Sequence, residues 1–151
     1  MSALRVVAEP PTSAGRLYPR YDPQAGMLMA ESTVARLWMF GIDIDGRIIF
    51  DLDEHRVLAN IDLHLPRHRW VRDLGDDTPT AAPPADLVFT PETVAYKSFS
   101  LPLRVRSDRQ ARRLRIEIGE KRPDRTVALS ESCFALLAGH ELVGFMVEPI
   151  G

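Results

Sequence analysis

The stretch 41-GIDIDGRIIFDLDEHRVLANIDLHLP-66 decides the reading of this chain, because its apolar residues fall on alternate positions. Ile42, Ile44, Ile48, Phe50 and Leu52 share one parity, with Asp43, Asp51 and Asp53 on the other. Period two over such lengths is the signature of strands with one buried face, and Asp45-Gly46 between two of them is a hairpin turn. A three-residue turn with Gly46 left-handed pairs Asp43 with Arg47, Ile42 with Ile48 and Phe40 with Phe50, which keeps every large side chain on one face. The first strand then extends back through 34-VARLWMFGID-43, placing Trp38 and Phe40 in the core between the polar flanks Arg36 and Asp43. After a turn at Glu54-His55, pairing Asp53 with Arg56 brings Leu52 opposite Val57 and Phe50 opposite Ala59. Val57, Ala59, Ile61, Leu63 and Leu65 complete the apolar face, and Asn60, Asp62 and His64 join Asp51 and Asp53 on the wet one. The prediction is a three-stranded meander.

Outward from it, 66-PRHRWVRDLGDDTPTAAPPAD-86 is rich in proline and small residues and reads as a connection. Strand patterning resumes in 96-YKSFSLPLRVRSD-108, where Pro102 signals an edge or a bend, and in 112-RRLRIEIG-119, where Leu114, Ile116 and Ile118 alternate with polar residues. "TVALSES" (126–132) and "ELVGFMVEPI" (141–150) read as two further strands, and "SCFALLAG" (132–139) as a short helix capped by Ser132 and ended by Gly139. The expected fold is mainly β (a β-rich α+β): two antiparallel β-meanders packed as a sandwich or open barrel, with one or two short helices. The expected organisation is a single domain over 1–151, with halves at 1–65 and 87–151 joined by a loop at 66–86.

A chain of 151 residues is long enough to bury about 70% of its unfolded surface without a covalent staple. With 45% hydrophobic and 26% charged residues and a net charge of -2, it has the balance of a globular protein with no global pull toward nucleic acid or an anionic membrane. No apolar run approaches the ~20 residues that span a bilayer, and the opening "MSALRVVAEPPTSAG" fits neither a secretory signal nor a transit peptide, so a cytoplasmic location is expected. Cys133 is the only cysteine, which rules out an internal disulfide and a structural thiolate cluster.

The carboxylates of the opening stretch do not form a calcium loop. With Gly46 at the sixth loop position, the twelfth falls on Leu52 instead of a glutamate. Asp62 and His64 lie two apart on one strand face with His68 nearby, but nothing supplies a third ligand, so no metal and no cofactor are expected. A helix would hold Cys133 and His140 roughly 10 Å apart, too far for a dyad, leaving Cys133 as a small buried thiol. Phosphate loops, nucleophile elbows and zinc-protease motifs are missing.

Charge is more informative. Between Arg104 and Arg125 nine basic residues face four acidic ones, a local net of +5 that leaves -7 for the remainder. Arg104, Arg106, Arg113 and Arg115 project opposite to the apolar residues of two strands and make an arginine-studded ribbon, which requires an acidic neighbour. The Asp51, Asp53 and Asp62 face, in the same chain or a second copy, is one candidate. A nucleic acid or an acidic protein is another, with Trp70 among Arg67, Arg69 and Arg72 available for stacking. These features predict a non-catalytic binding or interaction protein, self-associating as a homodimer or taking a protein partner, with no membrane role. The alternatives are a small hydrolase using Asp62 and His64, and nucleic-acid binding through the Arg104–Arg125 ribbon.

Two segments carry a resemblance. In 21-YDPQAGMLM-29, Tyr21, Asp22 and Leu28, and in 50-FDLDEHRVLANIDLHLP-66, Asp51, Asp53, Val57, Ile61 and Asp62, follow a pattern similar to that of a family of short bacterial β-meander domains of unknown function. Gly26 stands where that pattern carries an aspartate, the turn glycine is missing and the hairpin is one residue shorter. "ELVGFMVEPI" resembles the family's last strand, which suggests an internal duplication. The resemblance covers about a third of the chain and implies fold more than activity.

Overall fold

The computed structural model describes residues 3–34, 37–75 and 82–148. Arg36, residues 76–81 of the connection and the end of "ELVGFMVEPI" lie outside them. Among the described residues the strands are β1 (Val6–Glu9), β2 (Leu17–Asp22), β3 (Met27–Ser32), β4 (Phe40–Ile44), β5 (Ile48–Leu52), β6 (Leu58–His64), β7 (Asp86–Phe89), β8 (Ser98–Phe99), β9 (Leu103–Ser107), β10 (Leu114–Ile118), β11 (Arg125–Ala128), β12 (Cys133–Ala138) and β13 (Glu141–Val147), with one helix, α1 (Pro91–Tyr96). They form a six-stranded sheet in the order β2-β3-β6-β5-β4-β8, a five-stranded sheet in the order β11-β12-β13-β10-β9, and a two-stranded sheet of β1 and β7.

The fold is mainly β, and its two larger sheets pack as a sandwich. Ile42, Ile44, Ile48, Phe50 and Leu52 from one sheet and Leu114, Ile116, Cys133, Ala135 and Phe145 from the other belong to one buried cluster. Phe50 lies at its centre, with ring centroids 5.7 Å from Phe89 and 5.8 Å from Phe145. Alternation thus sends one parity of each sheet inward and the other to the outer faces.

The hairpin of β4 and β5 keeps the expected parity in a different register. Ile44 pairs with Ile48, Ile42 with Phe50 and Phe40 with Leu52, two residues along from the expected pairing. Asp45 and Gly46 both take positive φ, 53° and 66°. Arg47 N donates to Ile44 O at 3.0 Å, and the Asp43 carboxylate accepts from Gly46 N at 2.8 Å. A mirror-image turn followed by one extra residue accounts for this geometry. Trp38 and Phe40 are not in the core: they are 52% and 36% exposed. Only Phe40 belongs to the strand, at the start of β4, near the margin of the sheet.

The next turn also departs from its expected pairing. Phe50 faces Ile61 and Asp51 faces Asn60, but Leu52 faces Leu58, so Ala59 is an extra residue. This bulge buries Ala59 and Asn60 in succession, overturning the expectation that Asn60 faces solvent. Asp53 is buried too: its carboxylate accepts from the backbone N–H groups of His55 and Val57, each at 2.9 Å, and holds the turn.

Cys133–Ala138 forms a strand where a helix was expected over 132–139. The burial of Cys133, Ala135, Leu136 and Leu137 across a bulge makes β12 apolar on both faces, and such a run carries no period to separate strand from helix. The helix instead lies at 91–96, capped by the Thr90 hydroxyl, which accepts from Thr93 N, with Pro91 in the first turn. The connection after Pro66 is more ordered than its composition suggests. Val71 N donates to Val105 O at 3.1 Å, Ser107 N to Val71 O at 2.9 Å and Leu74 N to Ser107 O at 2.9 Å, so Val71–Leu74 straps the edge of β9. At Pro102 the chain leaves the six-stranded sheet, where β8 lies parallel to β4, and enters the five-stranded one.

Candidate binding face

The outer face of β9 and β10 carries the arginines. Leucine, valine and isoleucine at alternate positions draw one side of the hairpin into the core, which forces Arg104, Arg106, Arg115 and Glu117 outward. Arg106 lies directly opposite Arg115, and Arg104 opposite Glu117. Facing guanidinium groups repel unless counter-charges intervene, and these come from nearby. Arg106 Nε is 2.9 Å from Asp73 Oδ1 and its Nη1 is 3.6 Å from Glu117, while Arg115 Nε is 3.2 Å from Glu117. The hydrogen bond from Arg106 holds the Asp73 carboxyl below its ordinary pKa, and the same bond raises that of Arg106.

Two hollows flank the hairpin. One, of about 500 Å³, is lined by Arg104, Arg106, Arg115, Lys121 and Arg122 with Glu117 and Glu120. The other, of about 570 Å³, is lined by Arg109, Arg112 and Arg113 with Asp108 and Glu148. Along each strand their linings lie two residues apart, Arg106 and Arg115 in the first against Asp108 and Arg113 in the second. The loop in the second is fixed from below. The buried Asp108 carboxylate accepts from Arg112 N at 2.7 Å and Arg113 N at 3.1 Å, and Ala111 takes a left-handed φ of 55°.

The acidic residues occupy the other layer. Asp51 and Asp62 project from the outer face of the six-stranded sheet and both accept from the Asn60 amide, at 2.9 and 3.0 Å. Burial raises the Asp51 pKa, the Asn60 hydrogen bond opposes that and the Asp62 charge adds to it. Because the outer faces of a sandwich point in opposite directions, this surface cannot be the intramolecular counter-charge of the arginine ribbon.

His64 is exposed on the same face as Asp62, and lines a shallow hollow with His68 and Arg67 that does not include Asp62. Among the described residues, no three His, Cys, Asp or Glu side chains are grouped so as to hold a metal ion. Trp70 is not available for stacking on a ligand. It is 8% exposed, donates from Nε1 to Leu65 O at 3.3 Å and packs edge-on against Tyr21 at 5.1 Å. Arg67 lies over both rings, 5.3 Å from the Tyr21 centroid and 5.7 Å from that of Trp70, while Arg69 is exposed beside it. Cys133 is fully buried, and burial pushes its thiol pKa up to about 12.

The ribbon was legible from alternation, but its acidic strap was not. Asp73 sits in a segment whose composition reads as loop, and its only local signal is the two-residue spacing from Val71. Asp108 has a turn residue's character and gave no sign of burial. No family model matches the sequence, and no curated protein matches it significantly. No helix among the described residues is long and apolar enough to cross a membrane.

Proposed function

We propose that this chain is a non-catalytic binding protein that engages an acidic protein surface through the outer face of β9 and β10. The observation that carries this reading is the row of Arg104, Arg106 and Arg115 on one face, flanked by two hollows that are themselves lined by arginines. A protein partner is favoured over a nucleic acid backbone by the acids interleaved with these arginines. Asp73, Glu117 and Glu120 would repel a uniform polyanion but suit a surface presenting both signs. The burial of Trp70 removes the ring that stacking on a base requires.

A net-acidic peptide of mixed glutamate and lysine and a single-stranded oligonucleotide, titrated separately by fluorescence anisotropy at low and high salt, test the proposal. The peptide should bind with an affinity that falls with salt, and the Arg104→Glu/Arg122→Glu double variant should weaken it by about tenfold or more. Absence of peptide binding at low salt, or binding unchanged in a folded double variant, refutes the reading. Oligonucleotide binding tighter than peptide binding replaces the partner class.

A further inference from the structure

The margin of the six-stranded sheet presents a second surface, unrelated to the arginines. The outermost strand β8 pairs only with Asp43 and Ile44, so among the described residues the start of β4 has no strand beyond it. Large apolar side chains collect there. Leu37 is 70% exposed, Trp38 and Met39 are each 52% exposed, and Tyr96 at the end of α1 is 60% exposed. Next to them a hollow of about 590 Å³ opens between α1 and β4, lined by Met39, Phe40, Val94, Pro91, Arg56 and Lys97.

These four side chains leave on the order of 500 Å² in water, at the upper end of the largest apolar patch a typical monomer exposes. With the walls of the adjoining hollow the surface approaches the ~800 Å² that each partner contributes to a stable interface. The patch is also self-complementary. A projecting indole lies beside a hollow whose walls are apolar and whose rim carries two cations, the surroundings that favour a buried aromatic ring. A projection and a receptacle on one surface close in pairs about a two-fold axis, because each copy supplies both.

We infer that the surface formed by Leu37, Trp38, Met39 and Tyr96, with the hollow between α1 and β4, is a homodimer interface in which Trp38 of each copy enters the hollow of the other. This goes beyond the arginine face and uses none of its residues.

Sedimentation velocity across about 1–100 µM should show a species of twice the chain mass. Trp38→Ala and Leu37→Asp should each raise its dissociation constant by about tenfold or more. The chain has two tryptophans, one of them buried Trp70, so iodide quenching reports mainly on Trp38, and its difference from Trp38→Phe isolates that signal. Quenching should fall as the dimer forms. A wild-type monomer throughout this range overturns the inference. So does a dimer that persists in both folded variants, or one in which Trp38 remains as accessible to iodide as in the monomer. Arg104→Glu/Arg122→Glu should leave the dimer intact, which separates failure here from failure of the proposed function.

Discussion

Replacing Gly144 by alanine adds one methyl group to the middle of the five-stranded sheet, where Gly144 pairs with Glu117 on one side and Leu136 on the other. A Cβ at this position would lie 2.3 Å from the carbonyl oxygen of Ile116 and 3.4 Å from its carbon. Reaching ordinary contact requires β10 to retreat by about 1 Å, enough to stretch ladder hydrogen bonds of about 2.9 Å beyond useful length. Losing one or two such bonds costs about 1 kcal/mol each, and forcing a packed layer apart adds about 1–3 kcal/mol. Gly144→Ala should therefore lower stability by about 3 kcal/mol. With a urea slope of about 2 kcal/mol per molar for a chain of this size, the unfolding midpoint should drop by about 1.5 M. Urea titration followed by circular dichroism measures this directly. Gly75→Ala is the control, since a Cβ there meets nothing within 4 Å, and it should stay within about 0.5 kcal/mol of wild type. A Gly144→Ala midpoint indistinguishable from that of the control would refute the reasoning that β10 and β13 are held together by the missing side chain.

Two further outcomes follow from the half-buried Asp51 and the buried Cys133. The Asp51 pKa is raised in the folded state, so its ionised form opposes folding and that cost grows as pH rises above the ordinary aspartate range. Asp51→Asn should stabilise the protein at pH 7 by a few tenths of a kcal/mol, allowing for solvent screening, and the gain should vanish in acid where both states are protonated. Melts at pH 3 and pH 7 check this, and an equal effect at both would contradict it. Cys133, fully buried with its thiol pushed up to about 12, should resist a disulfide reagent in the native protein and react stoichiometrically in denaturant, as followed by absorbance. Rapid native labelling would show that β12 opens far more readily than its packing implies.

Parity was the legible part of this fold. Ile42, Ile44, Ile48, Phe50 and Leu52, and later Leu114, Ile116 and Ile118, are buried as their alternation requires. Parity does not say where a neighbouring layer ends, which is why Trp38 and Phe40, correctly phased with the core residues, finish exposed at a margin. Nor does it reveal an inserted residue. Ala59 shifts the register by one, and Asn60 becomes a buried polar group. Cys133–Ala138 failed for the opposite reason, since burial on both faces erases the period. The arginine face was visible because its polar residues alternate on two adjacent strands, whereas Asp73 reaches Arg106 across 33 positions. No local pattern encodes that contact.

The parallel pairing of Ile44 with Phe99, and the antiparallel pairing of Val6 with Phe89 in the small sheet, also bear on how the chain is made. During translation β4 emerges more than 50 residues before its neighbour β8, and β1 about 80 before β7. The nascent protein must carry two bare strand margins through most of synthesis. Native pairing closes late, so the folding rate should be limited by these distant contacts. A truncation ending before Ser98 would leave the β4 margin permanently unsealed and the product prone to clumping on the ribosome.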